Sequence, residues 1–324
     1  MRIAIGFATA ICVLMALAST ASAASSDLQV KLDALAKAAH PGMLGISILD
    51  LKSGDVWRVD STTEYPMMSV FKAPVAATVL SLVDQGKVSL EQTVTLTRAD
   101  LSPGASDIAK NFLGDSMTFS ISDLLKGAVS RSDNTATDAL IRFIGGPKIV
   151  TDYIKAQGIK GMHVELDERG VSHVFSGLGE AAAPPPNETA EVRNARMERG
   201  YAAYLTDPRN RSTPDASVEF LRKLWEGQLL SPASTQHLLD LMYSQTACSR
   251  LRTHMPADVR LADKCGTSLT LDGMTPAYND IGIMTLPGGR NIIIAAFLSG
   301  SRASTDDRDK IFIDLASATI SALR

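Results

Sequence analysis

The chain has 324 residues and is close to charge balance, with 32 Lys and Arg against 35 Asp and Glu and a formal net charge of −3. It has no basic stripe interleaved with aromatic residues, so nucleic acid is excluded as a partner and an anionic ligand must find a local cationic site. This length buries a substantial core, either as one large domain or as two closely packed lobes.

The first residues have the order of an export signal. Arg2 precedes an apolar stretch from Ile3 to Leu17, and Ala21-Ser22-Ala23 supplies the small residues of a cleavage site. The apolar stretch is too short to span a bilayer comfortably, so the expectation is removal of 1–23 and a mature chain of 24–324 without stable membrane insertion. Such a chain is secreted, and periplasmic in a host with two membranes. Cys12 lies inside the apolar stretch and not at the cleavage site, which argues against a lipid anchor. The mature chain then keeps Cys248 and Cys265. In an oxidising compartment a disulfide between them is the leading expectation, with two buried free thiols as the alternative. Two cysteines without a histidine cluster do not make a structural zinc site, and no metal or other cofactor is expected.

The predicted elements begin with a helix over 28–38. A hairpin follows over 42–59, where alternating apolar residues flank Lys52-Ser53-Gly54. Helical patterns then cover 73–85, 121–130, 135–143, 148–157, 214–226 and 231–242, and a C-terminal helix is expected over 306–323. Two strands run from Asp280 and from Asn291, separated by the turn Pro287-Gly288-Gly289. Strands at both ends with helices between them predict an α+β fold: an antiparallel sheet formed from both chain ends and packed against helices, with a mostly helical lobe. The stretch 177–211 breaks the pattern. Its Ala-Pro-rich start reads as an exposed loop, and 188–204 as a short surface helix whose charges face solvent.

Three clusters carry chemistry. Ser69-Val70-Phe71-Lys72 places a hydroxyl and an amine three residues apart at a helix start. Residues so spaced share one helix face, so the amine can help remove the hydroxyl proton, although a capped helix followed by a solvated lysine has the same spacing. Ser132-Asp133-Asn134 precedes another helix, where capping preference alone would account for it. Lys264-Cys265-Gly266-Thr267-Ser268 lies on a strand near the C-terminal end.

In this order the three clusters resemble the active-site signature of class A β-lactamases and penicillin-binding proteins. Further landmarks resemble the class A family in sequence order: Gly145-Gly146-Pro147, Thr213-Pro214, Leu229-Leu230-Ser231, Arg250-Leu251, Asn279-Asp280-Ile281-Gly282 and Pro287-Gly288-Gly289-Arg290. The resemblance covers most of the mature chain. It implies Ser69 as a nucleophile that forms an acyl-enzyme, with Lys72 in its proton relay. Ser132 would pass a proton to the departing lactam nitrogen, oriented by Lys264. The backbone N–H groups of Ser69 and Thr267 would hold the oxyanion, and Asn134 the substrate's side-chain amide. Arg250, with Gly266, Thr267 and Ser268, would form the subsite for the substrate carboxylate.

Deacylation needs a further base. Counting without gaps from Asn134 through Gly145-Gly146-Pro147 places it at Glu168, followed by Val171 and Ser172 where the family usually has Leu and Asn. Aligning instead on Leu166-Asp167 would put Gly170 there, and Glu165 is the neighbouring carboxylate that could take the role. Two departures stand out. Cys265 replaces a hydroxyl residue that helps bind the carboxylate, and 177–211 is expanded relative to the family. The expected function is hydrolysis of penicillin- or cephalosporin-type lactams by a monomer acting on a small molecule. The alternatives are a D-alanyl-D-alanine carboxypeptidase-like peptidoglycan enzyme and a non-hydrolysing lactam or cell-wall-peptide binder.

Overall fold

Strands from the two ends of the chain meet side by side in one five-stranded sheet. The computed structural model describes residues 26–179, 181 and 183–324, so the expected export signal lies outside the described residues. Helix α1 (26–38) leads into the hairpin β1 (Met43–Asp50) and β2 (Val56–Val59). Strand β3 (Tyr65–Pro66) and a 3₁₀ turn at Met68–Phe71 precede α2 (Lys72–Asp84). Then come β4 (Thr93–Thr97), α3 (Asp107–Lys110), β5 (Ser116–Ser120), α4 (Ile121–Ser130), α5 (Asn134–Phe143) and α6 (Pro147–Ala156). The middle of the chain holds β6 (Met162–His163), α7 (Glu168–Phe175), α8 (Ala190–Thr206), β7 (Arg211–Ser212), α9 (Pro214–Trp225) and α10 (Pro232–Tyr243). The chain finishes with β8 (Arg260–Thr267), β9 (Thr275–Thr285), β10 (Asn291–Ser301) and α11 (Thr305–Leu323).

The large sheet has the order β2-β1-β10-β9-β8, and each pair is antiparallel. Strand β10 reads as a continuous apolar run because both of its faces are covered. Its Ile292, Ile294, Ala296 and Leu298 pack with Leu28 and Leu32 of α1 and with Phe312 and Leu315 of α11. The intervening Ile293, Ala295 and Phe297 join the other core, with Val75 and Val79 of α2, Leu140 of α5 and Phe220 of α9. The two-residue period of a strand thus divides one apolar run between two cores. Among the described residues no helix is long and apolar enough to cross a membrane.

The α+β expectation therefore holds, and the predicted helices match the observed ones to within about two residues, the usual uncertainty of helix ends. Not anticipated were α3, the β4–β5 hairpin, the small sheet of order β3-β7-β6, and α7. Helix α7 has only 8 residues and a glycine at its third position, so it lacks a strong local signal. Asp167 starts it by accepting from the Gly170 N–H at 2.7 Å.

Helix α8 also departs from expectation. The chain before it, 183–187, is exposed as anticipated, but α8 is a docked helix of 17 residues with Arg196, Gly200, Tyr201 and Tyr204 buried. Arg196 meets Glu188 with two parallel contacts of 2.7 Å, from Nε to Oε1 and from Nη2 to Oε2. This pair is largely shielded from solvent, so its charges do not belong to a solvated face. The Phe175 ring at the end of α7 lies 4.9 Å from the Tyr201 ring and 4.1 Å from the Tyr204 ring. Gly200 permits this crossing: a Cβ there would stand 2.3 Å from the Phe175 carbonyl oxygen. Gly200→Ala is expected to lower stability by about 1–3 kcal/mol through overpacking. Urea denaturation should show the midpoint falling at constant m, and an unchanged midpoint would contradict the tight crossing.

Candidate active site

Ser69 sits on the 3₁₀ turn, three residues before α2 begins at the buried Lys72. Met68, immediately before it, has a φ of 46°, in the left-handed region that a non-glycine residue occupies only when its surroundings hold it there. Those surroundings are identifiable. Asn279 on β9 donates through Nδ2 to the Pro66 and Met67 carbonyls at 2.7 and 3.1 Å. Its register partner on β8 is Gly266, where a Cβ would lie 2.3 Å from the Met67 oxygen and 3.1 Å from the Ser69 nitrogen. Only a residue without a side chain lets β8 come this close to the nucleophile's backbone.

Lys72 is fully buried, and its Nζ contacts groups from two distant parts of the chain. It donates to the Ser132 carbonyl at 2.7 Å and to Asn134 Oδ1 at 2.7 Å, and lies 2.9 Å from Glu168 Oε1. The Ser132 hydroxyl is 3.3 Å away. The same Glu168 Oε1 accepts from the Ser69 hydroxyl at 3.5 Å, so one carboxylate oxygen bridges the amine and the nucleophile. Glu165 is exposed, and Gly170 offers only its backbone. Of the alternatives raised by the sequence, it is Glu168 whose carboxylate reaches Ser69.

Both readings of Ser-Asp-Asn apply, to different residues. Asp133 caps α5 by accepting from the Ala136 N–H at 2.9 Å, and its other oxygen accepts from the Ile108 N–H at 2.9 Å. Ser132 has a φ of 57° and brings its hydroxyl between the two lysines. Lys264 on β8, also fully buried, donates to that hydroxyl at 3.0 Å and to the Cys265 carbonyl at 2.9 Å. Burial, and secondarily the nearby Lys72 charge, push the Lys264 amine down to about 7, against the opposing pull of Asp263, Asp280 and Glu168.

Cys248 and Cys265 form a disulfide with their Cα atoms 6.5 Å apart, joining the segment before Arg250 to β8. Cys265 therefore has no thiol proton to donate. Arg250 is buried, and its guanidinium lies 3.4 Å from the centre of the Tyr278 ring. It donates to the Gly266 carbonyl at 3.0 Å and also bonds the Asn279 carbonyl and the Thr267 hydroxyl. Ser268 is tied to β9, accepting from the Ala277 N–H at 2.9 Å and donating to the Ala277 carbonyl at 3.2 Å. A cavity of about 520 Å³ opens on this centre, and Ser69, Ser132, Asn134, Glu168, Thr267 and Ser268 all line it. Arg250 is not among its lining residues.

Asp138 is a site residue that the sequence did not reveal. Its Oδ1 accepts from the Glu168 N–H at 2.7 Å, and its Oδ2 accepts from the Arg169 N–H at 3.1 Å and from the Ser102 hydroxyl at 2.5 Å. It thus fixes the first turn of α7, which carries Glu168. The available signal was its place on α5, four residues after Asn134 and so on the same helix face. Burial, with the charges of Asp167 and Glu168 adding to it, pushes the Asp138 carboxyl up to about 7.

Known proteins match this chain over most of their length. A family model described as the β-lactamase enzyme family matches residues 27–323. The chain belongs to the β-lactamase enzyme family. The β-lactamase VEB-1 of Pseudomonas aeruginosa is 28% identical over 301 residues, covering 92% of this chain and 91% of that protein. The extended-spectrum β-lactamase PER-1 of the same organism is 34% identical over 256 residues, covering 78% and 73% respectively. The crystal structure of a reconstructed class A β-lactamase, the last common ancestor of Gram-negative bacteria, superposes with a TM-score of 0.74 at 30% identity, covering 91% of this chain and all of that one. This β-lactamase family member is accordingly assigned to class A, the serine enzymes.

The Asp138 position makes a pH prediction. Its folded pKa of about 7 lies above the ordinary 3.8, so the folded state keeps a proton that the unfolded chain loses. Its stabilising contribution is full below about pH 4 and is lost as pH rises to about 7. Comparing wild type with Asp138→Asn by thermal melting from pH 4 to 8, the wild-type advantage should shrink over that interval. A difference independent of pH would rule out this titration.

Proposed function

We propose that the protein hydrolyses the β-lactam ring of penicillin- or cephalosporin-type antibiotics through an acyl-enzyme on Ser69. The single observation that carries this reading is the Glu168 oxygen, 2.9 Å from Lys72 and 3.5 Å from the Ser69 hydroxyl. A carboxylate so placed serves a nucleophile that must be both acylated and released. Ser69 Oγ attacks the lactam carbonyl carbon while its proton enters the Lys72–Glu168 pair. The backbone N–H groups of Ser69 and Thr267 hold the oxyanion, and the close approach at Gly266 favours that pairing. The ring C–N bond then breaks as Ser132 gives a proton to the nitrogen, its hydroxyl oriented by Lys264. Glu168 next takes a proton from a water that attacks the ester, and Ser69 regains its own. Ser172 lines the same cavity and supplies a hydroxyl where that water would sit.

The Lys264 charge draws the substrate carboxylate, and Arg250 supports recognition through the Thr267 hydroxyl that it bonds. Asn134, which also lines the cavity, binds the acyl-side amide. Residues 24–324 form the catalytic unit, with 177–211 as an insertion within it. The apolar start, the Ala-x-Ala sequence and the disulfide support export, most simply to the periplasm.

Wild-type protein mixed with a chromogenic cephalosporin should complete many turnovers, and Ser69→Ala should abolish them. Glu168→Gln should lower turnover about 10²–10⁴-fold and accumulate a covalent adduct visible by intact mass. An adduct that persists on the wild type, together with release of D-alanine from a muropeptide, would instead establish the carboxypeptidase reading. Unchanged turnover in Glu168→Gln would reject Glu168 as the deacylating base.

A further inference from the structure

Helix α8 touches the chain that enters the nucleophile as well as resting on α7. Its Tyr204 is buried, and the Tyr204 hydroxyl donates to Met68 Sδ at 3.0 Å. Met68 is the residue held at a φ of 46°, and the Met68–Ser69 peptide carries the N–H proposed above for the oxyanion. Met68 also faces β8, where a Cβ on Gly266 would stand 3.1 Å from the Met68 Cβ. A strand and a helix therefore both bear on the strained residue.

Tyr204 does not line the catalytic cavity, so any effect on the reaction passes through another residue. Burial raises the pKa of its hydroxyl above the ordinary phenol range, which keeps a proton there to donate. A thioether is a weak acceptor, and among the described residues it is the one this hydroxyl has. A buried hydroxyl left without a partner is costly. Relaxation of the Met68 backbone out of the left-handed region would swing its side chain away and leave the phenol unsatisfied. The contact thus opposes the relaxation that strain favours.

Tyr204 is itself firmly placed. Its ring centre lies 4.1 Å from that of Phe175, and Arg211 Nη2 donates to the Tyr204 and Leu205 carbonyls at 2.6 and 3.0 Å. Those carbonyls close the C-terminal turn of α8, where helical partners run out. Arg211 lies on β7 opposite Pro66 of β3, and the Met67 N–H donates to the Asn210 carbonyl at 3.0 Å. The end of α8 and the chain entering Ser69 are built on one frame.

We infer that Tyr204 is a positioning residue for the Ser69 oxyanion donor: through the Tyr204–Met68 contact, α8 holds the Met68–Ser69 peptide in the orientation that the reaction needs. This rests on the lactam-hydrolysing reading above. The oxyanion forms when Ser69 Oγ adds to the lactam carbonyl, and again when water adds to the ester. A displaced donor therefore slows both steps, with little effect on ground-state binding.

Tyr204→Phe keeps the ring and removes the hydroxyl. Stopped-flow measurement with a chromogenic cephalosporin should show acylation and deacylation both slowed by about 3–30-fold, short of the roughly 10²–10³-fold loss from removing an oxyanion donor outright. No adduct should accumulate, in contrast to Glu168→Gln. Affinity for an alkylboronic acid, whose tetrahedral adduct with Ser69 places an oxygen at the same donors, should fall by a similar factor. Met68→Leu removes the acceptor at nearly constant volume and should reproduce these losses, and the double variant should be no slower than the slower single one. Unchanged rates in Tyr204→Phe, a loss confined to deacylation, or losses that multiply in the double variant would overturn this role. A wild type that is acylated but never released would overturn the hydrolytic reading alone, since acylation rate and boronate affinity still decide what Tyr204 does.

Discussion

The Lys72 amine, buried without exposure in the core of the helical lobe, sets the constraint that the rest of the site satisfies. A charge in such a place is costly unless compensated where it sits. The compensation comes from Glu168 at the start of α7, the Ser132 carbonyl in the α4–α5 turn, and Asn134 at the start of α5. Removing one partner from a buried pair of this kind typically costs about 3–5 kcal/mol, so the contacts that in the proposed reaction ready Ser69 also lock three segments together. Catalytic geometry and local stability are thus one arrangement.

A second buried amine, Lys264, shares the Ser132 hydroxyl with Lys72. Two cations around one hydroxyl repel, and that repulsion adds to burial in lowering the Lys264 pKa. The opposing field comes from behind β8, where Arg252 and Gln245 hold Asp263. Asp280, paired in register with Cys265, is raised well above the ordinary carboxylate range by burial and by the neighbouring Asp263 charge. The disulfide lies in the same layer and joins β8 to the chain leading to Arg250. What the thiol-for-hydroxyl change at Cys265 removes as a donor, it returns as a fixed strand position. In the proposed reaction, anion recognition then falls to Lys264 and to the Thr267 hydroxyl that Arg250 bonds.

Local spacing explains what the sequence revealed. Ser69 and Lys72, and Ser132 and Asn134, lie a helical turn or less apart in sequence, so each pair was legible as a local pattern, whereas the link between the Ser69 hydroxyl and the Lys72 amine is the distant Glu168 oxygen. The large sheet was legible because β10 and its neighbours are long apolar runs bounded by turn residues. Glu168 was reachable by counting alone, since nothing in Asp167-Glu168-Arg169-Gly170 distinguishes it from the exposed Glu165. Asp138 was invisible because its role exists only between α5 and α7, 30 residues apart in sequence. Arg250 was found, but not the burial that makes its action indirect. In α8 the buried stripe of Arg196, Gly200, Tyr201 and Tyr204 includes an arginine and a glycine, so no apolar period appears. A helix of this composition reads as solvated until its partner Phe175 is known.

Helix α7 joins the catalytic centre to α8. Its first residue is the carboxylate that reaches Ser69, and its last is the ring on which α8 rests. Asp138 fixes the first end through two backbone N–H groups, and the Gly200 crossing fixes the other. An eight-residue helix clamped at both ends transmits displacement rather than absorbing it. A shift of α8 would pull on the same short element that places Glu168, so the packing of α8 on α7 and the reach of Glu168 to Ser69 are constrained together.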